Sequence, residues 1–474
     1  MSDTSPIILW FRRDLRLSDH AALTAACSTA RPVIPVFIHD GLVEELGAAP
    51  KWRLGLGLAH FADSLREKGS RLILRAGPKA LTELQELVKQ TGASAVYWTR
   101  AYDPASKARD TAIKDALRLD GIDARSFGGH LMFEPWTVET KTGGYYKVYT
   151  PFWNAVKGRG VDTPHAAPGK IPAPDDWPAS DTLDDWQMGA AMNRGSEVVR
   201  DYVQLGEDAA QARLAHFCDE IIANYKSLRD IPAADGTSNL SENLTYGEIS
   251  PHQCWHAGVR AMEEGKAGAE HFLKELVWRE FAYHLMHHTP HILDTSWRKE
   301  WEAFPWKKDQ RDADIWAWKK GRTGIHFVDA AMRELYVTGT MHNRSRMIVA
   351  SYLTKHMMTD WRVGQKWFED CLIDWDPASN AMGWQWTAGS GPDASPYFRV
   401  FNPATQLDKF DADGAYVNRW LAEGCENPGR DALAFFDAMP RHWRLAPDDP
   451  YPDPIVALDE GRKRALAAYG DRDF

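Results

Sequence analysis

The sequence predicts an α/β domain, then a long connector, then an all-α domain, and three observations support this prediction. Short apolar or β-branched runs alternate with helical periods over residues 1–130. Pro, Gly and Asp become frequent over residues 131–205, and strand signals nearly vanish over residues 206–474. Alternating strands and helices are typical of a doubly wound parallel sheet. The first domain is therefore predicted to be Rossmann-like, with five parallel strands.

The elements of the α/β domain follow from this alternation. Strands are predicted at residues 6–11, 32–39, 71–75, 94–99 and about 122–127. The intervening segments have a helical period, and the clearest of them are Lys51–Lys68, Ala80–Thr91 and Pro104–Leu119. Each strand run is short and apolar, as expected for a strand covered by helices on both faces.

The connector and the second domain are distinguished by their residue types. The connector carries five aromatic residues that need burial, so it is predicted to wrap between the domains rather than to be disordered: Tyr145, Tyr146, Tyr149, Phe152 and Trp153. Beyond it, helices are predicted at Ala209–Ser227, Ser250–Gly265, Ala267–His288, Ile325–Thr338, Ser345–Thr359, Gly364–Leu372 and Leu458–Tyr469.

Composition narrows the classes of protein. The chain has 474 residues, long enough for two or three domains. Its five cysteines are scattered without a CxxC pair, which indicates a reducing compartment and no zinc or disulfide framework. The net charge of −10 argues against coating of DNA by global charge. No signal peptide or membrane span is predicted, and the histidines around His284 and His288 lack an acid or cysteine, so no metal site is predicted.

Tryptophan and buried charge point to a site. The chain contains 21 tryptophans, which is an excess that calls for stacking or for partners of the indole N–H. Two dense clusters, 340–347 and 374–386, place charged and amide side chains among apolar residues. Because buried charge is costly unless it is paired, we expect Arg346 to pair with a carboxylate. A purely structural ion pair is the alternative for Arg346, Asp374 and Asp376.

Four motifs together resemble one known family. They are Gly236-Thr237-Ser238-Asn239-Leu240-Ser241, Glu275-Leu276-Val277-Trp278-Arg279-Glu280-Phe281, Met341-His342-Asn343-Arg344 and Asn402-Pro403-Ala404-Thr405-Gln406. With Trp10-Phe11-Arg12-Arg13-Asp14 near the start, the chain resembles the cryptochrome/photolyase family nearly end to end, and most closely the bacterial class I cyclobutane pyrimidine dimer photolyases. The resemblance implies FAD in the helical domain and light-driven repair of thymine dimers in DNA.

The resemblance assigns residues to FAD. It places the diphosphate on Tyr225, Thr237, Ser238, Asn239, Leu240 and Ser241, and the rest of the cofactor on Asn343, Arg346, Asp374, Asp376 and Asn380. An ordinary capped helix start is the alternative for the Thr-Ser segment. Asn239 stands where relatives commonly have arginine. Asn380 faces the flavin N5, where plant cryptochromes have aspartic acid, and an amide there favours repair over signalling.

The lesion site is implied in the same way. Glu275, Trp278, Asn343, Arg344, Met347 and Trp386 form the cavity for the flipped-out dimer, with Glu275 and Asn380 as the catalytic residues. Phosphate and lesion-edge contacts are expected from Arg229, Asn402, Gln406 and the basic segment 318–322. A solvated acid is the alternative for Glu275, core packing for the two tryptophans and a solvated face for the lysines. His342-Asn343 replaces the two histidines of the (6-4) branch, which favours dimer repair.

Electron transfer and the antenna complete the expectations. Trp384, Trp361 and Trp306 match the tryptophan chain of the family, although Trp316 or Trp318 compete with Trp306. The residues that hold a folate antenna in some relatives align with Ala105-Ser106, so a deazaflavin in a cleft near Arg12, Phe37 and Arg53, a folate or no antenna all stay open. A bacterial, cytoplasmic monomer with UV-damaged DNA as its partner and no protein partner is predicted, with a cryptochrome-type blue-light receptor as the alternative.

Overall fold

A five-stranded parallel sheet forms the first part of the molecule. The computed structural model describes residues 4–309, 311–393 and 398–474. The strands are β1 (Ile7–Phe11), β2 (Val33–His39), β3 (Ile73–Ala76), β4 (Ala95–Thr99) and β5 (Asp123–Phe127). Their order in the sheet is β3-β2-β1-β4-β5, and Ile7 pairs with Val33 on one side and Ala95 on the other. The predicted doubly wound sheet is confirmed, with strand ends close to the predicted ones.

Helices cover both faces of this sheet. They are Ala21–Cys27, Gly41–Glu44, Ala48–Glu67, Ala80–Thr91 and Pro104–Leu119. Every side chain of β1 is buried, since the two faces of the sheet pack into separate apolar clusters. Burial on both faces explains why β1 and β2 read as continuous apolar runs rather than as alternating ones.

The connector is mostly irregular and runs over the helical domain. Its helices are Tyr149–Val156 and Gly195–Val199, with short 3₁₀ turns at Pro135–Thr137, Leu183–Trp186, Ala190–Met192 and Arg200–Tyr202. Tyr149, Phe152 and Trp153 are buried against the helix Ala269–His288, as their composition predicts. This packing ties the connector to the second domain.

The second domain is helical throughout its described residues. Its α-helices are Gly206–His216, Tyr225–Leu228, Ser241–Thr245, Pro251–Glu263, Ala269–His288, Ala313–Lys319, His326–Thr338, Asn343–Ser351, Trp361–Cys371, Pro377–Ala388, Pro403–Phe410, Ala415–Trp420, Arg430–Ala438 and Leu458–Gly470. Two predicted helices are shorter than expected, because π-helical turns at Phe217–Ile221 and Tyr352–His356 interrupt them. The helix Pro377–Ala388, which periodicity alone did not predict, lies at the centre of the domain.

A buried ionic cluster joins the two domains. Arg53 of the helix Ala48–Glu67 is fully buried and pairs with Glu242 at 2.5 Å and with Glu248 at 2.7 Å. The Tyr246 hydroxyl adds hydrogen bonds to the carbonyls of Pro50 and Ile373. Within the described residues, the helices include none with the length and apolar character needed to cross a membrane.

Candidate functional site

The site is built around the helix Pro377–Ala388. Its neighbours are the helices Ala269–His288, Asn343–Ser351 and Trp361–Cys371. Asp376 caps it by accepting a hydrogen bond from the Ser379 N–H at 2.8 Å, and Pro377 occupies the first turn, where a missing N–H costs nothing. The helix therefore holds Asn380, Trp384 and Trp386 in fixed positions between three packed helices.

Arg346 and Asp374 form the expected ion pair. Arg346 Nη2 lies 2.8 Å from Asp374 Oδ2, and the Arg346 Nε also donates to the Met341 carbonyl at 2.7 Å. Asp374 is buried, and its second carboxylate oxygen has no partner among the described residues. A buried polar atom left unpaired is costly, so this oxygen marks a place where a polar ligand would bind.

Asp376 has a different role from Asp374. One of its oxygens caps the helix, and the other accepts a hydrogen bond from the Tyr283 hydroxyl. Burial and the neighbouring Asp376 raise the pKa of Tyr283 well above its ordinary value. Tyr283 was not predicted from the sequence, and it links the cap of the central helix to His130 at 2.8 Å.

Asn380 is oriented by a backbone carbonyl. Its amide Nδ2 donates to the Gln365 carbonyl at 3.1 Å. Gln365 lies on the neighbouring helix Trp361–Cys371, and no motif in the sequence pointed to it. Because this contact uses the Nδ2 of Asn380, it fixes which way the amide oxygen of the half-buried side chain points.

The loop Gly236–Ser241 has the character of a ligand cradle. Asn239 has a left-handed backbone with φ of 51°, and its Oδ1 accepts a hydrogen bond from Thr237 Oγ1 at 3.0 Å. No side chain caps the helix Ser241–Thr245, so the capped-helix alternative does not describe this loop. A Cβ at Gly236 would lie 2.7 Å from the Leu228 side chain, so only glycine permits the close approach. Of the residues expected at the diphosphate, Tyr225 and Leu240 are buried, whereas Ser238 is half-buried and Ser241 is exposed.

The proposed lesion residues lie on the helices Ala269–His288, Asn343–Ser351 and Pro377–Ala388. Glu275 forms an ion pair with Arg229, which raises the pKa of that arginine against the opposing effect of burial. Trp278 is half-buried and stacks on Tyr149, with ring centroids 3.6 Å apart. Of the remaining residues, Asn343 is exposed and Met347 and Trp386 are half-buried.

Arg344 is held by three contacts. Its Nη2 pairs with Asp230 at 2.8 Å, its guanidinium lies 4.5 Å from the Phe410 ring, and its N–H donates to His342 Nδ1 at 3.1 Å. Burial lowers the pKa of His342 to about 4, with Asp230 opposing this effect. His342 is therefore neutral near pH 7 and acts as a helix cap. Gln406, on the helix Pro403–Phe410, has a buried Oε1 with no partner among the described residues.

Two charged side chains of the basic segment 318–322, Lys319 and Arg322, have partners within the protein. Trp318, in the segment 318–322, is fully buried, and Arg322 pairs with Glu423 at 3.0 Å. Lys319 lies 4.8 Å and 4.9 Å from the rings of Trp316 and Trp367, and burial lowers its pKa. Aromatic packing and ion pairing engage two of the charges of this segment, and its expected contacts with DNA phosphate stay a prediction.

The three predicted electron-transfer tryptophans are all buried. Trp384 contacts the Phe368 ring at 5.0 Å, and a Cβ at Gly364 would lie 2.0 Å from the Trp384 ring, so this glycine lets the ring reach the helix Trp361–Cys371. Trp306 lies beside the start of the same helix, since the backbone of Lys307 bonds to Met358 at 2.7 Å and to Asp360 at 2.9 Å. Trp318 also contacts Trp384, at 6.2 Å, whereas Trp316 is exposed.

A cleft of about 430 Å³ lies between the two domains. Arg12, Phe37 and the Ala105-Ser106 pair line it. Arg12 is paired with Asp110 at 2.6 Å, so its charge is already balanced. Contrary to the expectation, Arg53 does not line the cleft, because it is paired with Glu242 and Glu248 in the buried ionic cluster.

These features define a helical flavin-binding domain joined to an α/β domain. Residues 272–471 match the family described as the FAD binding domain of DNA photolyase, and residues 7–173 match the DNA photolyase family. The deoxyribodipyrimidine photo-lyase of Agrobacterium fabrum is 45% identical over 98% of both chains, and that of Escherichia coli is 36% identical over the same share of both chains. The chain belongs to the DNA photolyase/cryptochrome family, and its helical domain binds FAD.

Solved structures refine the resemblance. A structure titled a bacterial class III photolyase from Agrobacterium tumefaciens has a TM-score of 0.90 and 44% identity, and covers 99% of this chain and 98% of its own. A cryptochrome structure from Synechocystis has a TM-score of 0.84 and 27% identity, and covers 99% of this chain and all of its own. The expected placement nearest to class I is therefore corrected, since the class named in the 44% identical structure is class III.

The residues of the site fit FAD. The unpaired Asp374 oxygen, the Asn380 amide and the loop Gly236–Ser241 offer hydrogen-bonding groups for the polar parts of the cofactor. Sequence reasoning missed four supporting residues, Tyr149, Asp230, Tyr283 and Gln365. Of these, only Tyr149 carried a signal, as one of the connector aromatics that needed burial.

Proposed function

We propose that the protein splits cyclobutane pyrimidine dimers in UV-damaged DNA under light, with reduced FAD held in the helical domain. One observation carries this proposal. The Arg346–Asp374 pair, Trp278 and Trp386 lie on or beside helices packed around Pro377–Ala388, in a chain that aligns over nearly its full length with proteins named deoxyribodipyrimidine photo-lyase. The chemistry supplied by bound FAD is light-driven donation of one electron to the dimer and its recovery after the ring opens.

The FAD contacts are assigned from the resemblance to the family, and the geometry of the site supports them. Tyr225, Thr237, Ser238, Asn239, Leu240 and Ser241 would hold the diphosphate, and Asn343, Arg346, Asp374, Asp376 and Asn380 the remainder. Arg346 pairs with the buried Asp374 carboxylate at 2.8 Å, and removing either charge would leave the other one unpaired. Asn380 offers no acidic proton, and its amide is held by the Gln365 carbonyl. The amide side chain therefore cannot deliver a proton at this position, which favours repair.

The lesion cavity would be formed by side chains of the helices Ala269–His288, Asn343–Ser351 and Pro377–Ala388. Trp278 and Trp386 would form flat apolar walls, and stacking on such a wall contributes about 1–3 kcal/mol per base. Glu275, which pairs with Arg229, would accept a hydrogen bond from the imide N–H of a pyrimidine. Asn343, Arg344, Met347 and Gln406 would complete the cavity. The unpaired Gln406 Oε1 supports a ligand-facing role for that side chain.

The aromatic chain would restore the reduced state. Trp306, Trp361 and Trp384 would pass an electron inward from the surface. The contact of Trp384 with the helix of Trp361 and the position of Trp306 beside that helix support this order. We also propose that the protein acts as a cytoplasmic monomer without a protein partner. Light scattering is expected to give a single species near 53.5 kDa.

The decisive experiment follows the loss of dimers directly. Purified, reduced protein is mixed with an oligonucleotide that carries one thymine dimer, and half of the sample is illuminated with blue to near-ultraviolet light. Loss of the dimer only in the illuminated half is expected, and an oligonucleotide with a (6-4) photoproduct is the matched control. A yellow, flavin-loaded protein that leaves the dimer intact under light would replace repair with a cryptochrome-type receptor.

A further inference from the structure

Tyr149 of the connector forms the tightest ring contact of the lesion site. Its ring and that of Trp278 are parallel within 5°, with centroids 3.6 Å apart. Tyr149 is 8% exposed, whereas Trp278 is half-buried. One face of Trp278 is therefore covered by Tyr149, so the open part of Trp278 is the part available to a flipped base.

Tyr149 is itself fixed at both ends. Its hydroxyl donates to the Lys274 carbonyl at 2.7 Å, one turn before Trp278 on the helix Ala269–His288. The Phe281 ring packs edge-on against both members of the stack, at 6.0 Å from Tyr149 and 5.8 Å from Trp278. The backbone N–H of Tyr149 contacts the Asp393 carboxyl. Burial raises the pKa of this carboxyl, although the contact opposes the shift. The tyrosine ring cannot move without breaking these contacts.

The connector helix does not need this stack to stay in place. Phe152 and Val156 are almost fully buried, and Phe152 contacts the rings of Phe281 at 5.3 Å and His284 at 4.9 Å. These contacts attach the helix Tyr149–Val156 to the helix Ala269–His288 independently of Trp278. The parallel stack is thus an additional contact directed at one side chain of the lesion site.

We propose that Tyr149 is a positioning residue for lesion recognition, which holds the plane of Trp278 so that its open face can receive the flipped dimer. The inference rests on the proposed function, because it gives Trp278 a substrate to receive. A freely rotating Trp278 would lose side-chain entropy each time a dimer bound, and the stack with Tyr149 removes this cost before binding. The connector then contributes to damage recognition and not only to joining the domains.

The test measures dark binding of FAD-loaded protein to an oligonucleotide with one thymine dimer and to the undamaged oligonucleotide. Tyr149→Phe keeps the stack and loses only the hydroxyl, whereas Tyr149→Leu removes the stack. Because an aromatic pair contributes about 0.5–1.5 kcal/mol beyond its buried area, Tyr149→Leu should bind the dimer about twofold to twelvefold more weakly. Binding to undamaged DNA, FAD content and photoreduction should stay unchanged, and Tyr149→Phe should bind nearly as wild type.

Phe152→Leu is the matched control, since it removes an aromatic ring from the same helix without touching Trp278. Equal dimer binding by Tyr149→Leu and Tyr149→Phe would overturn the proposal, as would an equal loss in Phe152→Leu. Tyr149→Met serves the same comparison if Tyr149→Leu does not fold. The wild-type protein distinguishes failure of the proposed function from failure of the role of Tyr149. If the wild type shows no preference for the dimer, the proposed function fails. If the wild type prefers the dimer and Tyr149→Leu keeps that preference, only the role of Tyr149 is rejected.

Discussion

The sheet and the centre of the helical domain bury their residues in different ways. In β1 all five side chains are apolar and buried, and the polar backbone is satisfied by pairing with β2 and β4. Around Pro377–Ala388, buried polar side chains lie among apolar ones, and Gln385 alone bonds the carbonyls of Ile292 and Thr295 and the N–H of Trp297. In the sheet, size and apolarity decide the structure, whereas in the helical centre the identity of single atoms decides it.

The largest expected effect contrasts two buried tryptophans. Trp384 in the helical centre and Trp98 in β4 are both almost fully buried, and the indole N–H of each has no partner among the described residues. Trp384→Phe is expected to abolish most photoreduction of oxidised FAD, because phenylalanine is a far poorer electron donor, while chemically reduced protein still repairs. Trp98→Phe should photoreduce normally. Absorbance under illumination measures both, and normal photoreduction in Trp384→Phe would remove this residue from the path.

A cavity in the sheet should cost stability and nothing else. Ile34 of β2 is completely buried, so Ile34→Ala should lower the free energy of unfolding by about 3 kcal/mol. Dimer repair per folded, FAD-loaded molecule should not change. Denaturant unfolding followed by circular dichroism gives the first quantity and the dimer assay the second. A loss of specific repair would show that the sheet influences the site beyond supporting it.

A buried acid of the helical domain should make stability depend on pH. Burial raises the pKa of Glu280 from 4.5 to about 7, although the N–H groups of Met132 and Phe133 and the nearby Arg279 oppose this shift. The unfolded carboxyl ionises first as pH rises, so stability should fall between pH 4.5 and pH 7 and level off above. Glu280→Gln should remove about 2 kcal/mol of this decline. Unfolding curves of both proteins at pH 5 and pH 8 measure it, and parallel pH profiles would contradict it.

Loss of one charge in the flavin cluster should affect FAD rather than folding. Asp374→Asn keeps the shape of the side chain but leaves Arg346 without its anionic partner. FAD binding should weaken by about 2 kcal/mol, roughly thirtyfold, discounted for the partly exposed arginine. The measurement is the FAD dissociation constant after cofactor removal, with the melting temperature of the apoprotein as the control. An equal loss of apoprotein stability would make the pair structural, which was the alternative raised by the sequence.

The smallest expected effect is at the lesion edge. Glu275→Ala should weaken dimer binding by about 1 kcal/mol and lower the repair yield, because it removes one hydrogen bond at a partly exposed position. FAD content should remain intact. Glu270→Ala is the matched control, since Glu270 lies on the same helix and its ion pair among the described residues is with Lys274 at 3.0 Å. Loss of FAD from Glu275→Ala would show that the Glu275–Arg229 pair supports the fold.

The sequence predicted the sheet well because its signals are local. Ala80–Thr91 and Pro104–Leu119 are helices over the predicted ranges, and each strand run appears as a strand. The central helix Pro377–Ala388 was not predicted from its period, since its own small, amide and tryptophan residues leave no clear apolar face. The π-helical turns were missed for a related reason, because they arise from packing and leave the apolar period of the segment intact.

The site was predicted by motif and completed by geometry. The Arg346–Asp374 pair could be expected from the cost of buried charge, and the structure shows it. The ring beside Lys319 could not be predicted, because a run of cations in sequence does not reveal that Trp367 of another helix lies next to it. Gln365 orients Asn380 through a backbone carbonyl, which any residue type could supply, so side-chain identity held no signal there. The domain limits at residues 131 and 206 stay predictions.

The attachment of the connector helix Tyr149–Val156 to Ala269–His288 has a consequence for protein engineering. A hybrid that exchanges the α/β domain between relatives would divide the chain most simply near residue 131, where the sheet ends. A cut after the connector, near residue 206, would instead supply Tyr149 and Phe152 from one parent and their partners Trp278 and Phe281 from the other. Exchange boundaries placed before Tyr145 keep both partners from the same parent, so the recombined protein inherits a matched stack of Tyr149 and Trp278.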